Sequence, residues 1–301
     1  MTLLNIANTQ YGLTDIETVD QFWNGLTSRI EDAAKQKVNL LIFPEYTTLH
    51  LLSLVPSMNY IEACDYLDSF SEAYEEFFQT HSSKFNMMIL AGTHIHKGIE
   101  GYVNQASLFF PDGRKEIQNK IHLTPEEKTR WNLEPGEGIN IIESDWGRLA
   151  ILTCYDIEFP ELSRIAADQG VELILCPSYT DTVAGYYRVQ NSARARSIEN
   201  QLFVALSGIV GVLEEQRLQI DKGHCTAGVF GPCDYPFPDD GIIKAGEVDE
   251  DMLIVAELDF SLLRENRNYG IVSPFYDRRP DLYDRERDVI AKRHLEDLKT
   301  V

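Results

Sequence analysis

Basic residues are scarce in this chain: 27 lysines and arginines stand against 48 aspartates and glutamates, a formal net charge of −21 over 301 residues. A surface this negative repels phosphate backbones and anionic headgroups, so neither nucleic acid nor a membrane surface is an expected partner. Paired cysteines are missing too. Cys64, Cys154, Cys176, Cys225 and Cys233 form an odd set with no CxxC and no zinc-type His spacing, which argues against a disulfide scaffold or a zinc site. The apolar run from Val38 to Phe43 falls far short of the ~20 residues that span a bilayer. The opening segment MTLLNIANTQYGLTD lacks a basic n-region, so the expected address is the cytoplasm. No Ser/Gly-rich linker or internal repeat divides the chain.

Two common hydrolytic devices are also absent. There is no G-x-S-x-G, and no His sits beside a candidate Ser on a strand-to-helix turn. There is no HExxH; His94 and His96 alternate along a predicted strand and share a face, but no carboxylate cluster joins them, and no metal is expected. For a papain-like pairing with Cys154 only His122 is a candidate.

What is present is an ordinary globular composition, 44% hydrophobic, 10% aromatic and 25% charged, twice as long as the ~150-residue domain norm. Short β-type runs alternate with helical periodicity. LLNIANTQY reads as a strand; apolar residues at Ile16, Val19, Trp23, Leu26, Ile30 and Ala33 predict a helix over Asp15–Lys37; VNLLIFPEY reads as a strand buried on both faces. A helix over Ile61–Thr80 is followed by strands MMILAGTHI and VNQASLFF, a turn at Asp112-Gly113, and a strand from Lys115 to His122. Strands INIIES and RLAILTC, helix 159–169, strand VELILCP, helix 185–199 and strand LFVALSGIV continue the alternation. Strands HCTAGVF, GIIKAGE and MLIVAELD, a short helix near Phe260–Asn268 and a terminal helix over Arg285–Leu298 complete it. Mixed hairpins and this strand count predict an α/β protein with two packed sheets and helices outside.

Three apolar strands end on reactive side chains: LLIFPE at Glu45, IQNK at Lys120 and LAILTC at Cys154. Ligands of open α/β sheets bind beyond the carboxyl ends of strands, so an acid, an amine and a thiol are placed to converge. Taken singly, each has an ordinary explanation as helix cap, solvated strand end or buried core thiol. Their flanks change that. FPEY (43–46), NKIHLTPEE (119–127) and CYDIEFPEL (154–162) resemble, in order and approximate spacing, the three signatures of the nitrilase superfamily of carbon–nitrogen hydrolases. CPSYTD (176–181), ARARSIENQLFVALSG (193–208) and RRPDLY (278–283) resemble the same family, most nearly its bacterial branch whose members are sometimes fused to an acetyltransferase domain, a segment not seen in this sequence.

The resemblance implies a four-layer αββα sandwich, with residues 1–283 as the hydrolase domain and 284–301 as a C-terminal extension. It also implies a thiol hydrolase of a small non-peptide amide that needs no cofactor and forms a homodimer or higher homo-oligomer. In that reading Glu45 takes the proton of the Cys154 thiol, Cys154 attacks the carbonyl, and Lys120 with the backbone N–H of Tyr155 holds the oxyanion. A second glutamate positions the base; Glu126 and Glu127 are adjacent candidates, and Glu127 is favoured although Thr124 and Glu127 also spell a capping box. Rival readings are an N-carbamoyl hydrolase, a nitrile hydrolase and a non-catalytic scaffold.

Substrate contacts are expected from Tyr46, Tyr179 and Thr180. Family members that bind a substrate carboxylate often carry an arginine four residues after the cysteine; here Glu158 occupies that position, which implies a neutral or amine-bearing substrate. The alternative is that Glu158 turns to Arg164 or Arg188. The Arg194, Arg196, Glu199 and Asn200 group reads as helix-to-sheet ion pairing.

Overall fold

The computed structural model describes residues 2–214 and 217–297. The first strand, β1 (Leu3–Leu13), leads through Thr18, whose hydroxyl accepts the Gln21 N–H, into α1 (Val19–Lys35), and its apolar stripe Phe22, Leu26, Ile30 and Ala33 is buried. Then β2 (Leu40–Ile42) gives way to a 3-10 helix over Thr47–Leu54. The expected helix over 61–80 is two helices, α2 (Tyr60–Asp68) and α3 (Ser71–Phe85), interrupted at Ser69 and Phe70. Asn59 caps the first of them with a reciprocal box to Glu62.

Strands β3 (Met88–Lys97), β4 (Tyr102–Phe109) and β5 (Lys115–Asn119) form an antiparallel meander, and a single π turn spans Glu127–Trp131. After β6 (Ile142–Glu143) and β7 (Arg148–Ile151), a 3-10 turn over Cys154–Glu158 leads into α4 (Pro160–Asp168), β8 (Val171–Ser178), α5 (Val183–Asn200) and β9 (Phe203–Val212). The last third holds β10 (Lys222–Gly223), β11 (Gly228–Phe230), β12 (Ile242–Ala245), β13 (Met252–Asp259), α6 (Phe260–Tyr269) and α7 (Pro280–Asp297). Helix α7 starts five residues ahead of the expected Arg285 and runs across the 283/284 boundary; Leu298 lies outside the described residues. Some predicted strands are shorter, INIIES being reduced to Ile142–Glu143 and HCTAGVF to Gly228–Phe230, each losing mainly its opening residues to irregular backbone.

Among the described residues, 13 strands join one hydrogen-bonded network whose main path runs β5-β4-β3-β2-β1-β9-β8-β7-β6, with β10 and β11 on β9, β12 on β11 and β13 on β1, rather than two separately bonded sheets. Strand β1 is the link. Its residues Leu3–Gln10 pair antiparallel with β13, Ile6–Asn8 pair parallel with β2, and Gln10–Leu13 pair parallel with β9. Three large apolar clusters among the described residues pack this mixed α/β fold, with a smaller fourth around Tyr186, Val210, Cys225, Ala227 and Ile254. One joins α1, α2 and α3 to β1–β3; a second draws Ile6, Ile42 and Leu90 from one half of the network together with Ile151, Leu175 and Phe203 from the other; a third joins α4 and α5 to β7–β9. No helix among the described residues is long and apolar enough to cross a membrane.

Candidate active site

Parallel strands β2, β7 and β8 deliver their C-terminal ends to one place, and there the chain leaves regular structure. After β2, Pro44 and Glu45 lead to Tyr46 in the left-handed region (φ +59°), and after β7 Cys154 adopts φ +49° at the start of its 3-10 turn. Non-glycine residues in this region carry strain that is concentrated at functional sites. The Glu45 turn is braced by β3, where Thr93 Oγ1 accepts the Tyr46 N–H at 2.9 Å. A Cβ on Gly92 (φ +75°) would lie 1.9 Å from the Pro44 carbonyl oxygen, so this bulge in β3 requires glycine.

Glu45, Lys120, Glu127 and Cys154 are all buried and are brought together. The Lys120 ammonium donates to Glu45 Oε1 at 2.8 Å and to the Glu127 carboxylate at 2.9 Å. Glu127 also accepts the Tyr46 hydroxyl at 2.5 Å and the Thr124 N–H at 2.8 Å, so the capping box and the site use the same carboxylate. Glu126 lies half out in solvent against Arg130 at 3.8 Å. The Tyr179 N–H donates to Glu45 Oε2 at 2.9 Å, and the Cys154 thiol donates to the Tyr179 carbonyl at 3.5 Å.

Two carboxylates facing one ammonium do not titrate alike. Burial pushes the Glu45 carboxyl above the usual range, and the Lys120 ammonium only partly offsets it. Burial pushes Glu127 upward as well, but Lys120, the Tyr46 hydroxyl and the Thr124 amide outweigh it and hold Glu127 below its ordinary value. For Lys120, burial opposes the charge while Glu127 and Glu45 more than restore it, and it is firmly an ammonium. Burial and the neighbouring Glu45 raise the Cys154 thiol well above the free value. The arrangement is thus a neutral thiol beside a carboxylate with enhanced affinity for a proton, with a fixed cation alongside, a set of groups chemically able to accept a proton, attack a carbonyl carbon and stabilise an anion.

One member of this cluster had no counterpart among the residues singled out by sequence. Asn104, fully buried on β4, donates from Nδ2 to Glu45 Oε1 at 2.9 Å and to Glu127 Oε1 at 3.1 Å. The available signal was a strand-depleted residue within the otherwise β-favouring run VNQASLFF.

The cluster opens onto a cavity of about 550 Å³. Tyr46, Tyr155, Glu158, Tyr179 and Thr180 line it. Tyr46 stacks on Trp131 at 5.9 Å and meets Tyr179 edge-on at 6.4 Å; Tyr60 meets Trp131 edge-on at 5.2 Å. Tyr179 donates its hydroxyl to the Lys222 carbonyl and Thr180 donates its own to that of His224, which pins the wall to the segment around β10. Glu158 pairs with Arg188 at 3.4 Å and not with Arg164; burial raises its carboxyl despite that partner. Arg196 donates to the carbonyls of Ile157 and Glu158, both at 3.0 Å, so this arginine ties α5 to the turn that carries Cys154.

His122 stands apart from the thiol: it contacts buried Asp156 at 3.1 Å and stacks on Phe159 at 3.6 Å. His94 and His96 do share a face, with ring centroids 6.4 Å apart, both contacting Ser71. No grouping of three or more His, Cys, Asp or Glu suited to a metal ion occurs among the described residues. All five cysteines are free.

The family model described as carbon-nitrogen hydrolase matches residues 6–268, and the chain belongs to that family. The curated protein "Probable hydrolase YhcX" of Bacillus subtilis is 34% identical over 280 residues, covering 93% of this chain and 54% of the relative, so the chain spans about half of that relative's length. "Omega-amidase NIT2" of Bos taurus is 25% identical over 266 residues, 85% of this chain and 89% of the relative. Among solved structures, a carbon-nitrogen hydrolase from Helicobacter pylori aligns with TM-score 0.76 and 23% identity over 94% of this chain and 97% of its own. These structural likenesses establish the shared fold.

Proposed function

We propose that the chain hydrolyses the carbon–nitrogen bond of a small, non-peptide amide through a Cys154 thioester, with Glu45 carrying the proton. The observation that supports this most is the buried Glu45–Lys120–Glu127 cluster beside Cys154 at the base of the 550 Å³ cavity. Glu45 takes the thiol proton as Sγ bonds to the carbonyl carbon, and the oxyanion is met by the Lys120 ammonium and the Tyr155 backbone N–H. The intermediate collapses, the C–N bond breaks, and Glu45 returns its proton to the departing nitrogen. Water then attacks the thioester, giving its proton to Glu45; collapse restores the thiol and releases the carboxylic acid. Glu127, held ionised by its donors, keeps Lys120 charged and in place.

We take residues 1–283 as the hydrolase domain with 284–301 as its extension, the two halves of the strand network folded face to face as a four-layer αββα sandwich, and the working unit as a homodimer. The middle apolar cluster, drawn from both halves, favours the sandwich. Glu158, half-buried at the cavity wall, favours a neutral or amine-bearing substrate over a dicarboxylate monoamide; Arg188 neutralises it until a cation takes its place.

The test is intact-mass spectrometry with a panel of amides, ω-amino amides, dicarboxylate monoamides, carbamoyl amines and nitriles. An acyl adduct on the wild type that vanishes in Cys154→Ala, with ammonia or amine released, is the expected result. Absence of adduct and product across the panel overturns the enzymatic reading, and preference for the monoamides overturns the assignment to Glu158.

A further inference from the structure

Glu45 has two oxygens, and only one is free to exchange a proton. Oε1 accepts from Lys120 Nζ at 2.8 Å and from Asn104 Nδ2 at 2.9 Å, which fills both of its lone-pair directions. Oε2 accepts the Tyr179 N–H at 2.9 Å and keeps one direction open. We infer that Asn104 is a positioning residue that occupies Glu45 Oε1 and so reserves Oε2 as the atom through which the proton passes. This rests on the thiol-hydrolase reading above.

Three further observations support it. The Asn104 carbonyl accepts the Lys120 N–H at 2.9 Å, so one β4 residue sets the backbone of the amine and the side chain of the acid. Its Nδ2 spans both carboxylates, at 2.9 and 3.1 Å, and therefore couples Glu45 to Glu127 without carrying charge. Its Oδ1 is buried with no hydrogen-bonding partner, whereas buried acceptors are nearly always satisfied. An amide turned the other way would aim that oxygen at two carboxylates, so the donors alone fix the side chain.

In the proton step the S–H bond of Cys154 breaks and an O–H bond forms at Oε2; on departure of the amine that O–H bond breaks and an N–H bond forms. The charged and titratable groups facing Glu45 are Lys120 after β5, Glu127 in the π turn, Tyr46 beside it, Cys154 in the 3-10 turn and Cys176 on β8. Withdrawing the Asn104 donor destabilises the ionised form of Glu45, so Glu45 holds its proton to higher pH.

The test compares Asn104→Leu, which keeps the shape without donors, and Asn104→Ser, which keeps one donor. The first readout is the pH dependence of Cys154 alkylation by iodoacetamide, followed by intact mass. The second is the pH profile of kcat/KM on whichever amide the wild type turns over. The Leu variant is expected to move the acid limb of both profiles up by about one unit. It should also lower kcat by about 10–100-fold with KM within about threefold; the Ser variant recovers part of each effect. A slower enzyme whose limbs stay in place overturns the inference, because a merely structural side chain would do that. If the Leu variant does not fold by thermal melting, Asn104→Ala, which removes the donors without adding bulk, decides: an upward limb supports the inference and an unmoved one overturns it. Should the wild type turn over no amide, the functional reading fails on its own, while the alkylation profile still reads Asn104.

Discussion

Two polar clusters, one partly buried around His94 and His96 on β3 and one fully buried around Lys120, use similar materials to opposite ends. In the first, Ser71 Oγ meets Asp68 Oδ1 at 3.0 Å, His94 Nε2 at 3.0 Å and His96 Nδ1 at 2.9 Å, while His94 Nδ1 meets Thr48 Oγ1 at 2.8 Å. A carboxylate only accepts, so Ser71 donates to Asp68 and accepts from both imidazoles, and Thr48 donates to the nitrogen that remains. Every proton is assigned. Burial holds the His94 pKa down to about 3, and its ring stacks on Tyr74 at 4.8 Å. The second cluster gives one ammonium two carboxylates, raises one and lowers the other, leaves an amide oxygen unpaired and opens to a cavity. Full satisfaction yields structure; unequal satisfaction with access yields proton chemistry.

The contrast is most severely tested at Lys120. Lys120→Met leaves two buried carboxylates without their cation, and is expected to lower kcat/KM by about 10³-fold or more. It should also cost about 3–5 kcal/mol in urea unfolding. A variant with near-normal turnover would break the distinction.

His94 gives the intermediate case, read through stability. Its folded pKa of about 3 lies below the ordinary 6.5, so between those values the unfolded chain binds the extra proton. The stabilisation is complete above 6.5 and is lost as pH falls toward 3. From this group the wild type should lose about 2 kcal/mol between pH 7 and 5 in urea melts. His94→Gln should flatten that slope while keeping kcat at pH 7 within about threefold. A large fall in kcat would move this cluster into the chemistry.

Glu126 gives the smallest effect. Exposed and 3.8 Å from Arg130, it should tolerate Glu126→Gln with under about 0.5 kcal/mol in stability and about twofold in turnover. The neighbouring Glu127→Gln is expected to be disabling in the same assay.

How much of this was legible beforehand follows the range of the interactions. Periodic spacing located α1 because an amphipathic stripe is written locally, and apolar runs located the strands that deliver Glu45, Lys120 and Cys154. The break at Ser69–Phe70 was not legible, since apolar residues continue through it, while in the fold Ser69 and Ser71 turn their hydroxyls back onto Tyr66 and Asp68 there. The 3-10 helix TTLHLLSL went unread because nearly all its residues are buried and it shows no one-sided stripe. Glu127 was favoured over the adjacent Glu126 from the sequence, but its burial against Lys120, with Glu126 left in solvent, required the fold. Asn104 required the pairing of β4 with β3 and β5 to bring it under two carboxylates from elsewhere in the chain. The resemblance supplied order and spacing; which oxygen each donor fills is a property of three dimensions.

Strand β1 also dictates a history. It is synthesised well before two of its partners, β9 and β13, which pair with it near residues 208–211 and 252–259. Until then the strand that links the network has one parallel neighbour, β2, and open backbone elsewhere. A nascent chain in that state presents an unpaired apolar edge for most of its synthesis, and such long-range pairing is slow to close. Strand β1, made early, is therefore among the last to find its full set of partners.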